Sequence, residues 1–427
     1  MPMSDVRLQP LANAEYGDPV MACAETLAQW SDHPDNLTCT YLTPAHRATA
    51  RQLETWMQEA GFDTVRCDAV GNVIGRYRAD SAIAAPPLVA TGSHYDTVRN
   101  GGKYDGRLGI LLPIAVVAHL HRHGRRLAFD FEVVAFAEEE GVRYGGSFLG
   151  SSAYIGQFDA SQLERCDADG ITLRQAMLDA GLDPDAAPRQ KADPRLCHYF
   201  EVHIEQGPVL HQRGLPLGVV TSIAGCVRRR ITLAGAPGHA GTTPMDMRRD
   251  AACAAAEIIL AIEERCRAEP GLVGTVGTLQ VPEGSINVIP GACDLTLDIR
   301  APQDAARDTA LADIDARIHQ ICARRGIEYA VEELMRVPAS PCSDTHQALW
   351  RQAIAAQGVP VLDLPSGAGH DAMLLGRLVP ISMLFVRCGN GGVSHNPQET
   401  MTAADAQLAG QAVLDFLQRF EDTLPRA

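Results

Sequence analysis

The chain has 427 residues, past the roughly 250–300 at which a single hydrophobic core stops growing, so two domains are expected. A net charge of −15 argues against nucleic acid as a partner, and no apolar run approaches the roughly 20 residues of a membrane helix. The twelve cysteines form no Cys-x-x-Cys pair, which argues against a structural zinc; they read as small buried hydrophobes in a reducing compartment, Cys253 among them. Met1–Asp5 shows no basic stretch leading into an apolar run, so a cytoplasmic location is expected.

In chain order, Met21–Trp30 and Ala45–Ala60 read as amphipathic helices, Asp68–Asn72 as a turn and Val73–Tyr77 as a strand. Leu88–Ala90 is a short buried strand that breaks into Gly92-Ser93-His94-Tyr95-Asp96. A loop with Gly101 and Gly102 then leads to Asp105, and an apolar helix starts at Leu108. That helix ends near His121-Arg122-His123-Gly124, with basic residues in its last turn as a C-terminus prefers. His119, His121 and His123 look like a metal cluster, but alternate helical positions point about 200° apart, so helix-end charge is the better reading. Phe129–Ala137 is a second strand and runs into Glu138-Glu139-Glu140-Gly141. Tyr199–Ile204 is a third and runs into Glu205-Gln206-Gly207-Pro208.

From residue 226 the pattern changes. Val227–Leu233 is a half-exposed strand with alternating arginines, and Gly238-His239-Ala240-Gly241 is a glycine-flanked loop. Asp246–Arg267 is a helix, Leu272–Val281 and Ile286–Ala301 are strands, Gln303–Arg325 is a helix and Ile327–Leu334 a strand. The order β-α-β-β-α-β is that of a ferredoxin-like unit. The expected division is therefore a main α/β domain over 1–225 and 338–427, with 226–337 inserted. Beyond it, Thr345–Gly358 is a helix, Ser366–Asp371 a glycine-rich loop, Pro380–Arg387 a strand and Ala403–Phe420 the closing helix.

His94, Asp105, Glu140, His203 and His395 lie at or just beyond these elements, several at strand carboxyl ends, the edge where ligands bind in open α/β sheets. Imidazoles with Asp/Glu oxygens and no cysteine suit an open, catalytic site for two divalent ions of zinc, manganese, cobalt or nickel. Such a pair, about 3.5–4 Å apart, polarises a carbonyl and activates water. A free carboxylate must then carry the proton to the leaving nitrogen, and Glu139 is placed to do so.

The segments GSHYDTV, EEEG, HIEQGP, GHAGTTPM, NVIPG, DIR, SGAGHDA and SHNPQE together resemble the amidase/hydantoinase/carbamoylase branch of the M20 metallopeptidase-like family. That branch includes N-carbamoyl-L-amino acid hydrolases, β-ureidopropionases and allantoate amidohydrolases. The resemblance implies a zinc-peptidase-like α/β catalytic domain, its mixed sheet flanked by helices, with an inserted ferredoxin-like lid and dimerisation domain. It implies one metal on His94, Asp105 and His203, and another on Asp105, Glu140 and His395. Glu139 would be general base and acid, with Asp96 in the catalytic set behind His94. Gln206, His239, Asn287, Arg300, Gly369 and His370 would contact a small-molecule substrate, and the enzyme would be a homodimer. A carbamoyl or ureido amino acid is the expected substrate, with allantoate and then N-carbamoyl-β-alanine as alternatives. An M20 dipeptidase or a non-catalytic binding homologue is less favoured, because Gln206 departs from the peptidases and every ligand position stands.

Overall fold

The structure, a computed structural model, describes residues 16–424 apart from 81 and 84. The described chain divides into two compact units. The first runs to Thr221 and takes in Cys342–Leu364 and everything from His370 on; the second is Ser222–Pro341 with Pro365–Gly369. The short return of 365–369 to the second unit has no counterpart in the sequence pattern.

The first unit is built on a mixed sheet. Its strands run in the order Thr64–Cys67, Val73–Tyr77, Asp130–Phe136, Leu88–His94, Leu196–Ile204, Ile381–Val386 and Leu217–Ile223. The four central strands, Asp130–Phe136 to Ile381–Val386, are mutually parallel, so their carboxyl ends share one edge. Leu88–His94 and Asp130–Phe136 are buried along their whole length, as parallel strands covered on both faces must be. Gly92 allows the closest approach between them: a Cβ there would lie 1.9 Å from the Val134 carbonyl oxygen. The helix Leu108–Arg122 is buried at every position from Leu108 to Val117, which marks it as a core helix. Pro44–Glu59 starts on Thr43, whose hydroxyl accepts the His46 N–H, with Pro44 in its first turn. Phe200 joins the sheet to the closing helix Ala403–Thr423 through Phe416, which stacks on Trp350 at 4.0 Å.

The second unit orders its elements as strand, helix, strand, strand, helix, strand. Gly225–Ala234 lies between Ala292–Ala301 and Glu328–Val337, antiparallel to both. The helices Ala251–Arg267 and Asp304–Arg325 supply the core with Ile258, Ile262, Ile314 and Ile318, against Ile231, Leu295, Leu297 and Ile299 from the strands. Alternate residues of Ala292–Ala301 are buried, the signature of one covered face.

Several expected boundaries move for identifiable reasons. The helix expected from Asp246 begins at Ala251, because the Asp250 carboxylate caps it by accepting the N–H groups of Ala252 and Cys253. The strand expected over Leu272–Val281 is two short pieces, Val273–Thr275 and Leu279–Gln280. Gly238–His239, expected as loop, pairs with Val288–Ile289. Leu217–Ile223 is a further strand that the sequence reading does not include. Cys253 is exposed, against the expectation of a buried thiol, because it sits on the outer side of its helix. Among the described residues no helix is long and apolar enough to cross a membrane.

Two packed histidines, one buried and one half-buried, give the first unit an acid sensitivity. The ring of His198, on the strand Leu196–Ile204, lies 3.8 Å from that of His346 on the helix Asp344–Ala356. His198 donates from Nδ1 to the Pro380 carbonyl at 2.8 Å, while His346 Nδ1 has no partner. Burial, aided by His346, holds His198 well below the ordinary imidazole range, and burial lowers His346 to about 4. Both groups take up protons more readily in the unfolded chain. Their contribution to stability is therefore complete above the ordinary value of about 6.5 and is lost as the pH falls toward about 4. In chelator-treated protein, His346→Phe should lose less Tm than wild type between about pH 6.5 and about pH 4.5. Scanning calorimetry showing equal losses would refute this account.

Candidate metal centre

The parallel edge gathers the ligand side chains. His94 is the last residue of its strand, His203 is the penultimate residue of the neighbouring one, and Glu139 and Glu140 follow Asp130–Phe136. His395 follows Ile381–Val386 on a loop where its own φ is +53°. Asp105 comes from the loop before the core helix. The next residue is Gly106, at φ +66°, where a Cβ would lie 2.4 Å from the His94 carbonyl oxygen.

The Asp105 carboxylate is buried and presents its two oxygens to two different groups. Oδ1 lies 3.3 Å from Nε2 of His203 and 3.5 Å from Nε2 of His94. Oδ2 lies 3.1 Å from Nε2 of His395, and that nitrogen lies 3.4 Å from Glu140 Oε1. Donors held tetrahedrally at 2.0–2.1 Å from one ion sit about 3.4 Å from each other, so these pairs have the spacing of donors that share an ion. Oδ1 accepts no hydrogen bond although it is buried, as an oxygen reserved for a cation would be.

The ring orientations agree. His203 donates from Nδ1 to the Ile204 carbonyl at 2.8 Å, which leaves Nε2 directed at Asp105. His94 turns Nδ1 to Asp96, 3.1 Å from its carbonyl oxygen and 3.3 Å from its Oδ1. Asp96 does more than orient His94. Its carboxylate also accepts the N–H groups of Glu139 at 3.1 Å and Glu140 at 3.2 Å, and so fixes the start of the acidic turn.

The electrostatics demand positive charge. Burial works to raise the Asp105 carboxyl, but the imidazoles of His203, His395 and His94 outweigh it and hold it well below its usual range. In return, Asp105 and Glu140 lift His395 to about 10. Burial holds Glu139 well above the ordinary carboxylate range; His94 opposes this, and Glu140, Asp371 and Asp96 add to it. Glu138 is buried with neither oxygen bonded, and burial, with Asp96 and Glu140, raises it as well. So many acids in one buried place repel one another, and cations among them would offset that cost. The residues present therefore fit two divalent ions.

The remaining expected residues fall into three places. Gln206, at φ +53°, donates from Nε2 to Asp105 Oδ2 at 2.9 Å, so it belongs to the centre itself. His370 is buried behind the centre, its ring 4.5 Å from that of His203, rather than open to a substrate. In the second unit, His239 and Asn287 are exposed and adjacent, the Ala240 N–H donating to the Asn287 carbonyl. Gly369 is exposed there as well. Arg300 has a partner the sequence did not suggest: its Nε and Nη2 donate to the Asp298 carboxylate at 2.8 and 3.1 Å, and Nη1 donates to the Gly367 carbonyl at 2.8 Å. His119, His121 and His123 form no ligand group among the described residues.

Sequence reasoning missed two buried carboxylates. Glu201 accepts from Ser93 Oγ at 2.7 Å and from the Ala372 N–H at 3.0 Å, tying the His94 and His203 strands to the His370 turn. Its position two residues before His203 on an extended strand puts both on one face, a signal that was available. Glu399 accepts from the N–H groups of Tyr104 and Asp105. Nothing but its nearness to His395 in sequence pointed to it.

Residues 90–419 match the peptidase family M20/M25/M40. The chain belongs to this family. It is 41% identical to the N-carbamoyl-L-amino acid amidohydrolase of Geobacillus stearothermophilus over 87% of this chain and 90% of that one. It is 38% identical to allantoate deiminase 1 of Glycine max over 94% of this chain and 89% of that protein. Among solved structures, an amidase of the hydantoinase/carbamoylase family from Burkholderia multivorans superposes with a TM-score of 0.89 at 32% identity. That match covers 96% of this chain and 99% of the other.

If Asp105 serves both ligand sets, Asp105→Asn should lower bound divalent metal from two ions per chain to one or none, read by elemental analysis after dialysis. Glu139→Gln should keep both ions and lose roughly 10²–10⁴-fold in turnover, the scale of a positioned general acid–base. An Asp105→Asn protein that keeps two ions would remove the bridging role.

Proposed function

We propose that this family member is a metal-dependent amidohydrolase that cleaves a C–N bond, other than a peptide bond, in a carbamoyl- or ureido-substituted amino acid. N-carbamoyl-L-amino acids are the first substrate class. The observation that carries the reading is the Asp105 carboxylate shared between two ligand sets, with a buried, unspent Glu139 beside them. The similarity to the Geobacillus amidohydrolase supplies the substrate class.

His94, Asp105 and His203 would hold one divalent ion, and Asp105, Glu140 and His395 the other. Manganese, cobalt, nickel and zinc all suit these donors. Ions so held supply Lewis-acid polarisation of the carbamoyl carbonyl and make water a better nucleophile. Glu139 accepts the proton of the attacking water and returns it to the departing nitrogen. Asp96 keeps Glu139 and Glu140 in register by holding their N–H groups.

By the resemblance, His239, Asn287 and Arg300 would contact the substrate. The fork of Arg300 is held by Asp298, which fixes its plane and leaves N–H groups on the two Nη atoms for a substrate carboxylate. The second unit would also pair two chains into a homodimer. It exposes the apolar side chains Met245, Met247, Leu260 and Ile286, which such an interface could cover.

A second reading, allantoate as substrate, is favoured by the 38% identity to an allantoate deiminase over 94% of this chain. Ammonia release from N-carbamoyl-L-amino acids, N-carbamoyl-β-alanine and allantoate, measured side by side with added Mn²⁺, separates the readings. The expected outcome is fastest release from the N-carbamoyl-L-amino acids, abolished by chelation and restored by metal. Arg300→Ala should lower kcat/KM about 10²-fold on these acids, the scale of a misplaced substrate, and much less on their neutral amides. Activity on none of the three substrates by metal-loaded protein would refute the proposal.

A further inference from the structure

The two ligand sets differ in how they are built. His94 and His203 stand on buried strands, and only Asp105 Oδ1 reaches them from a loop. Asp105 Oδ2, Glu140 and His395 all come from loops, and the His395 side chain is 50% exposed. Something has to hold the Asp105 loop and the His395 loop in register.

We propose that Glu399 is the positioning residue that sets Asp105 across the two ion positions and thereby builds the one made by Glu140 and His395. This rests on the reading of the centre as a two-ion site. Glu399 is 3% exposed. Its Oε1 accepts the N–H groups of Tyr104 at 2.9 Å and of Asp105 itself at 3.2 Å. Its Oε2 accepts the hydroxyl of Ser394, the neighbour of His395, at 2.8 Å. One carboxylate therefore joins segments 295 residues apart. The loop is shaped to receive it: a Cβ on Gly102 would lie 2.0 Å from the Glu399 carboxyl carbon, so only glycine admits this approach. Without Glu399 two buried N–H groups lose their acceptor, and the Asp105 loop relaxes to find others. Oδ1 is still guided by two strand-borne imidazoles, whereas Oδ2 has only loop partners among the described residues. The Glu140–His395 position therefore suffers most.

The test is equilibrium dialysis of metal-depleted, full-length protein against Mn²⁺, with bound metal read by elemental analysis. Wild type should bind two ions. Glu399→Ala should bind one with near wild-type affinity and the other about 10–100-fold more weakly, the usual effect of removing a group that orients a ligand. Glu399→Gln should restore the second ion, because the amide oxygen still accepts both N–H groups and the amide nitrogen faces the Ser394 oxygen. A merely structural role would lower the Tm of the metal-free protein and leave both affinities unchanged, and that result would overturn the inference. Should Glu399→Ala not fold, Ser394→Ala cuts the Oε2 link together with the Ser394 hydroxyl's own contact to Asp105 Oδ2 at 3.3 Å; it should weaken the second ion about tenfold, and an unchanged isotherm would overturn the inference equally. A wild-type chain that binds fewer than two ions would sink the two-ion reading and this inference together. Two ions bound equally by wild type and Glu399→Ala would sink this inference alone.

Discussion

The structure depends on one carboxylate that faces two ways. Asp105 turns Oδ1 toward two strand-end histidines and Oδ2 toward His395, and its hydrogen-bonded neighbours serve to keep it so. Gly106 lets the chain pass against His94, Gln206 donates to Oδ2, and the parallel strands deliver His94 and His203 to one edge. A buried anion of this kind is costly unless offset. The imidazoles that surround it are themselves drawn toward the protonated state, His94 and His203 included. Anions and imidazoles together define a place for cations.

The supports of the centre are made of the same chemistry as its ligands. Asp96, Glu201 and Glu399 are all buried carboxylates; Asp96 and Glu399 accept backbone N–H groups from segments that carry a ligand, and Glu201 accepts the Ala372 N–H beside His370. Each such bond ties a loop to the group that accepts from it, and a buried N–H left without its acceptor is costly. The consequence is an acid excess around the centre. Glu138 and Asp371 extend it, both buried and both raised by that burial.

The sequence made the centre legible because ligands at the ends of apolar strands leave a strong signature. A buried run that stops in His94, in Glu138-Glu139-Glu140 or in His203 can be read without a structure, and four parallel strands then bring the ends together. The supports were less legible. Glu399 acts on an N–H group 294 residues away, and no local pattern encodes that partner. His370 read as a substrate contact in a glycine-rich loop, and its packing against the His203 ring could not be seen from the loop's sequence. In the second unit the element order could be read, but Arg300 appeared free because its partner Asp298 precedes it by two residues on the same strand face. In an extended chain such i, i+2 pairs are common, and whether they bond depends on what lies above the sheet.

The uneven construction of the centre has an energetic counterpart. Gln206 and His395 both hold left-handed backbone, at φ +53° each, which costs a non-glycine residue about 1–2 kcal/mol. Both side chains reach Asp105 Oδ2, at 2.9 and 3.1 Å, and neither touches the strand-built half by way of Oδ1. Strain is therefore concentrated on the Oδ2 side. A strained, half-exposed ligand persists only where its surroundings hold it, and here those are Ser394, Glu399 and the bridging carboxylate. The strand side is built by the fold itself; the loop side is built by contacts that converge on Asp105. The two halves of the centre should accordingly fill in that order, the histidine pair on the strands first and the Glu140–His395 pair second.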